Sequence, residues 1–141
     1  MPEPLRVFLD ANVLFSAAYK QKNGLLEFWS MPEVQLVTSF YVVQEALRNC
    51  TSEDHTRRLE SLLAATIIVS DALPGTLPPH IDLPTKDQPV LAAAMNAGAD
   101  FLITGDKTHF APWMNLPIET RHGILMITQP RTFLDYLKQR R

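Results

Sequence analysis

A chain of 141 residues with 46% apolar and 20% charged side chains has the size of one globular domain, spanning residues 1–141. Its 13 basic and 15 acidic residues leave a net charge of −2, which argues against a protein that coats nucleic acid nonspecifically, since that mode needs many Lys and Arg against phosphates. The lone cysteine, Cys50, excludes an intramolecular disulfide, a Cys-based zinc site and an iron–sulfur cluster, and fits a reducing, cytoplasmic setting.

No apolar run approaches the ~20 residues of a membrane span, and the stretch MPEPLRVFLDANVLF lacks a basic segment followed by uninterrupted apolar residues, so a soluble, non-exported protein is expected. A chain of this size buries roughly two thirds of its unfolded surface and needs no metal merely to fold. A metal here is expected to be functional.

In chain order, the strand candidates are Arg6–Leu9, Gln35–Val37, Thr66–Val69, Phe101–Ile103 and Ile124–Ile127. Their near-continuous apolarity suits parallel strands covered on both faces. Ser39 can cap a helix that carries Val42, Val43, Ala46, Leu47 and Cys50 on one side and Glu45 off that stripe. A second helix starts near Ser52, with Glu53 and Asp54 in its first turn and Leu59, Leu62 and Leu63 facing inward. DALPGTLPPHIDLPTKD is proline-rich and reads as an extended, irregular connection. The Ala-rich segment Gln88–Ala97 reads as a helix stopped by Gly98, with Thr85 or Asp87 as its cap and Pro89 in its first turn. PRTFLDYLKQRR closes the chain as a helix. Alternating strands and helices predict an α/β fold: three α/β/α layers around a central parallel sheet of about five strands.

An open parallel sheet binds ligands beyond the carboxyl ends of its strands, which sorts the acidic residues by position. Asp10 directly follows the first strand, and Asp106 follows Phe101–Ile103 across Thr104 and Gly105, so both fall at that edge. Asp100 precedes its strand and reads as structural. Asp71 passes the filter but opens the proline-rich connection, where a turn role suffices. Two carboxylates ~4 Å apart repel by about 4 kcal/mol at an effective dielectric near 20, so convergence calls for a cation or a proton. Oxygen ligands without Cys or a His pair favour Mg²⁺ or Mn²⁺ over zinc, and with them phosphoryl chemistry.

Three stretches, VFLDANVLFSA at 7–17, VVQEALRN at 42–49 and KDQPVLAAAMNAGADFLITGDKTHF at 86–110, together resemble the PIN-domain ribonucleases, in size the toxin component of a bacterial toxin–antitoxin pair. The resemblance implies a PIN-like fold and an acidic quartet, Asp10, Glu45, Asp87 and Asp106, as catalytic residues and as ligands of Mg²⁺ or Mn²⁺. It also implies supporting roles for Asn12, Ser16 and Thr104, and hydrolysis of RNA to a 5′-phosphate and a 3′-hydroxyl. A cognate antitoxin and a homodimer are the partners that it implies.

Plainer roles stand beside these. Taken singly, Glu45 is a solvated helix residue, Asp87 a helix cap, Asn12 a turn residue and His109 a hydrogen-bonded structural histidine outside the catalytic set. Lys107 and the arginines read as scattered surface cations, and Phe15, Phe28, Trp29, Phe110 and Trp113 as core or interface. The rival functions are a non-catalytic PIN-like module that binds RNA or protein and a phosphatase of the haloacid-dehalogenase type. The latter wants an Asp where Asn12 stands and a further acid after Asp106, where Lys107, Thr108, His109 and Phe110 supply none. A flap nuclease would need inserted elements for which this chain has no room.

Overall fold

The structure, a computed structural model, describes residues 3–73 and 75–141; Met1, Pro2 and Pro74 of the proline-rich connection lie outside the described residues. The chain runs β1 (Leu5–Leu9), α1 (Ala11–Tyr19), a 3₁₀ segment (Gly24–Ser30), β2 (Val34–Ser39), α2 (Phe40–Asn49), α3 (Glu53–Ala64) and β3 (Ile67–Val69). It continues through α4 (Gln88–Asn96), β4 (Phe101–Ile103), a short 3₁₀ turn (Ala111–Trp113), β5 (Pro117–Thr120), β6 (Gly123–Thr128) and α5 (Pro130–Arg140).

The strands form one sheet in the order β3-β2-β1-β4-β6-β5, parallel except for β5, and helices flank it. Six strands replace the expected five or so. The additional one, β5, pairs antiparallel with β6 and buries only Ile118, so it has no apolar run to mark it; Gly123, at φ +134°, starts the return strand. Coverage on both faces holds for the inner strands, where Phe8, Leu9, Leu102, Ile103, Leu125 and Ile127 are fully buried. It fails at the edge: Ile67 and Ile68 of β3 are 44% and 37% exposed, because an edge strand has a neighbour on one side only.

The helix starts follow their caps. The amides of Val42 and His55 donate to the hydroxyl oxygens of Ser39 and Ser52 at 3.4 and 3.0 Å, satisfying first-turn donors that have no partner within the helix. Helix α1 shows no clear amphipathic stripe because Ala11, Val13, Leu14, Ala17 and Ala18 are all buried. After α4, Gly98 takes φ +70°, the left-handed conformation that ends helices. The described residues of the connection, 70–73 and 75–86, are irregular and are anchored by buried Ile81 and Leu83.

From β1 the chain steps outward through β2 to β3, then returns past β1 to β4 and β6. The reversal makes the carboxyl ends of β1 and β4 a switch point, where crossover connections leave in opposite directions and open a crevice.

Candidate active site

The crevice is built on two adjacent strand ends. The pairing of β1 with β4 runs Val7 to Phe101, Phe8 to Leu102 and Leu9 to Ile103, and the Asp10 amide extends it by donating to the Ile103 carbonyl at 3.0 Å. Asp10 and Thr104 therefore stand side by side just beyond the ladder. The Thr104 hydroxyl, fully buried, donates to Asp10 Oδ2 at 2.8 Å, and the Ala11 amide donates to Asp10 Oδ1 at 2.7 Å, which makes Asp10 the cap of α1.

Asn12 ties the two strand ends together. Its Nδ2 donates to Asp10 Oδ2 and Thr104 Oγ1 at 3.3 and 3.2 Å, while its Oδ1 accepts from the Gly105 amide at 2.7 Å. The side chain thus fills the plain turn role and also holds two groups of the crevice. A Cβ on Gly105 would approach Asn12 Oδ1 to 3.2 Å, so glycine allows this close approach. One residue on, the Asp106 amide donates to Thr104 Oγ1 at 3.0 Å, and Asp106 Oδ1 accepts from the amides of Thr108 and His109 at 3.0 and 2.9 Å. That turn aims Oδ2 into the crevice and brings His109 back over its own aspartate.

Asp10, Asn12, Glu45, Asp87 and Asp106 line a single cleft of about 450 Å³, together with Phe15, Asn49 and Lys86. Glu45 arrives on the half-buried flank of α2, beside the stripe of Val42, Val43 and Ala46. Asp87 occupies the cap position of α4, yet its side chain makes no capping hydrogen bond, so the plain reading accounts for its place in the chain and not for its carboxylate. Ser16 is exposed and lines an adjoining groove with Lys107, Arg131 and Lys138 instead of the acidic cleft.

Burial and mutual repulsion leave this cleft short of positive charge. Asp10 is only 5% exposed, and its pKa is pushed up to about 6, chiefly by desolvation. The hydrogen bonds from Thr104 and Ala11 pull it down, and the charges of Glu45 and Asp87 push it further up. Asp87 is also raised, first by desolvation, against the downward pull of His109 and Lys86. Asp106 goes the other way. Burial is the largest single influence and raises it, but the amides of His109 and Thr108, with the His109 ring, together hold it below the ordinary carboxylate value.

His109, which sequence reasoning left out, enters the site. Its Nδ1 lies 2.9 Å from both Asp87 Oδ2 and Asp106 Oδ2. Neither Nδ1 nor Asp87 Oδ2 makes a hydrogen bond. The available signal was its position three residues after Asp106, within one tight turn.

Asp100 and Asp71 keep structural roles. Asp100, at the amino end of β4, accepts from the Arg6 amide at 2.8 Å, and Asp71 accepts from the Tyr41 amide in the first turn of α2 at 2.9 Å. Phe28 and Phe110 are core residues, Trp29 donates to the Leu62 carbonyl and the Thr66 hydroxyl, and Phe15 borders the cleft.

Fold and crevice together define a doubly wound α/β protein with an acidic site at its switch point. A sequence profile described as PIN domain matches residues 6–108, and the chain belongs to the PIN domain family. Among solved structures, the fold is similar to VapBC2 from Rickettsia felis bound to a DNA fragment from their promoter. The TM-score is 0.65 at 14% identity, over 87% of this chain and 98% of that one. The PIN domain endonuclease Utp24 is a more distant neighbour, with a TM-score of 0.49 at 18% identity over 86% and 90% of the two chains. No curated protein matches the chain. No helix among the described residues is long and apolar enough to cross a membrane.

Proposed function

We propose that this protein, a PIN-family nuclease of one domain over residues 1–141, is a divalent-metal-dependent endoribonuclease and the toxin of a toxin–antitoxin pair. The observation that carries the reading is the convergence of Asp10, Glu45, Asp87 and Asp106 on one cleft at the switch point, with the carboxyls of Asp10 and Asp87 raised by burial and by neighbouring charge. Such a set has too much negative charge for its surroundings and is relieved by a dication.

The four carboxylates fit that ion: Asp87 Oδ2 is buried without a hydrogen bond, and the donors are mostly hard oxygens suited to Mg²⁺ or Mn²⁺. When bound, the ion supplies a water of lowered pKa and neutralises charge developing on the phosphate. The chain's own groups do the positioning. Thr104 and Asn12 fix the rotamer of Asp10, Thr104 anchors the backbone of Asp106, and the Asp106 turn holds its second oxygen toward the cleft. Lys86 at the rim and Lys107 in the adjoining groove are cations suited to the phosphates of a strand lying across the carboxylates.

The toxin reading draws support from the similarity of fold to the VapBC2 structure. Under it, the cognate antitoxin covers the cleft with a basic or bulky side chain, the toxin is a homodimer, and both work in the cytoplasm. The test is incubation of a mixed single-stranded RNA pool with wild type and Asp10→Asn in Mg²⁺, Mn²⁺ or EDTA, with end-group analysis. Expected are fragments with 5′-phosphates and 3′-hydroxyls from wild type with metal, and none from the variant or in EDTA. Intact RNA with folded, metal-loaded wild type would overturn the proposal in favour of the binding module.

A further inference from the structure

We propose that His109 is a ligand of the divalent ion through Nδ1, so that the site is a mixed nitrogen–oxygen centre selective for Mn²⁺ over Mg²⁺. The inference rests on the metal-dependent reading of the cleft and adds to it a residue outside the acidic quartet.

Three donor atoms, one each from Asp87, Asp106 and His109, lie within 4.8 Å of one another. The imidazole Nδ1 stands 2.9 Å from an oxygen of each carboxylate. Neighbouring ligands around an ion with bonds of 2.0–2.1 Å at right angles are about 3 Å apart, so the spacing of Nδ1 from each carboxylate oxygen suits adjacent corners of one coordination sphere. A structural histidine would use Nδ1 in a directed hydrogen bond. Here it makes none, and Asp87 Oδ2 beside it makes none either, although the Asp87 side chain is nine-tenths buried, with 10% exposure.

The backbone explains how the ring is held. The His109 amide donates to Asp106 Oδ1, so the same turn that spends one oxygen of Asp106 on the backbone delivers Nδ1 to the other. Asp87 comes from a different segment, the start of α4, with its oxygen free of the helix end. Asp87 and Asp106 bring two negative charges to the ion and the neutral imidazole none, and Asp10 and Glu45 add to the negative charge of the same cleft. The ring is 33% exposed, while Nδ1 and Asp87 Oδ2 themselves are buried.

The nitrogen decides the selectivity. Mg²⁺ is hard, dehydrates reluctantly and is served by oxygen alone, whereas first-row transition ions take imidazole readily. Among ions that also accept a carboxylate-rich sphere, Mn²⁺ fits this mixed set.

The test uses the full chain without RNA. Binding of MnCl₂ and MgCl₂ is measured by titration calorimetry for wild type, His109→Ala and His109→Asn, and the electron spin echo of bound Mn²⁺ is recorded for each. Expected are at least about tenfold tighter binding of Mn²⁺ than of Mg²⁺ by wild type, about tenfold or greater loss of Mn²⁺ affinity in both variants, and less than about threefold change for Mg²⁺. Imidazole nitrogen modulation should appear in the wild-type echo and vanish in the variants. Metal-free melting of the variants controls for folding. Equal loss for both ions, or a wild-type echo without nitrogen modulation, would overturn the inference. The outcome is separable from the nuclease reading: nitrogen ligation without RNA cleavage sinks only that reading, and cleavage without nitrogen modulation sinks only the inference.

Discussion

Replacing Asp10 by Asn should stabilise the metal-free protein at neutral pH while abolishing its activity. The folded protein holds the Asp10 carboxyl at about 6 against an ordinary 3.8, so between these values the folded state binds a proton that the unfolded chain has released. Stability from this group is therefore fully present below about pH 4 and is lost as pH rises through about 6. The two-unit shift corresponds to about 3 kcal/mol at neutral pH. Asn escapes that cost but cannot accept from every donor now facing Asp10, namely the Ala11 amide, the Thr104 hydroxyl and Asn12 Nδ2, and the mismatch costs about 1 kcal/mol. Thermal melts in EDTA should place the variant above wild type at about pH 8 by about 2 kcal/mol, or some 6 °C in Tm, and level with it at about pH 4.5. Excess Mn²⁺ should then raise wild type more than the variant, which keeps Glu45, Asp87, Asp106 and His109 but lacks one ligand, since only an ion that binds the folded state stabilises it. A variant less stable than wild type by the same amount at both pH values would refute the reasoning, because burial of a charge would then not be what raises Asp10.

Thr104→Val keeps the shape but removes a buried hydroxyl that serves Asp10, Asn12 and the Asp106 amide; a loss of about 2 kcal/mol by chemical denaturation and weaker metal binding by calorimetry are expected. Gly105→Ala pushes a methyl group to 3.2 Å from Asn12 Oδ1, so RNA cleavage should fall about tenfold while Tm changes by a few degrees at most. Asp100→Ala strips the Arg6 amide of its partner at the far end of the sheet; about 1 kcal/mol of stability should go, with cleavage per folded molecule unchanged, and a loss of cleavage would contradict the separation of the two sheet edges.

The inner strands were legible because they are covered on both faces and so carry unbroken apolar runs, as in Val7–Phe8–Leu9 and Phe101–Leu102–Ile103. Helix starts at Ser39 and Ser52 were legible because capping is local chemistry within three residues. The strand Pro117–Thr120 was not, since one inward side chain, Ile118, is no pattern and the segment becomes a strand only by pairing with β6.

The same division runs through the site. Its separation from Asp100 and the candidacy of Asp10 and Asp106 followed from sequence alone, because strand direction decides which edge a flanking residue occupies. Which side chains meet was decided by the tertiary structure. Glu45 and Asp87 come from helices whose approach to the β1–β4 end depends on packing, and the carboxylate of Asp87 could equally have capped α4. The raised pKa of Asp10 depends on burial in the folded core and on the charges of Glu45 and Asp87, which lie far along the chain. The place of His109 between Asp87 and Asp106 depends on a turn meeting a helix start, a distance across the fold that no local spacing encodes.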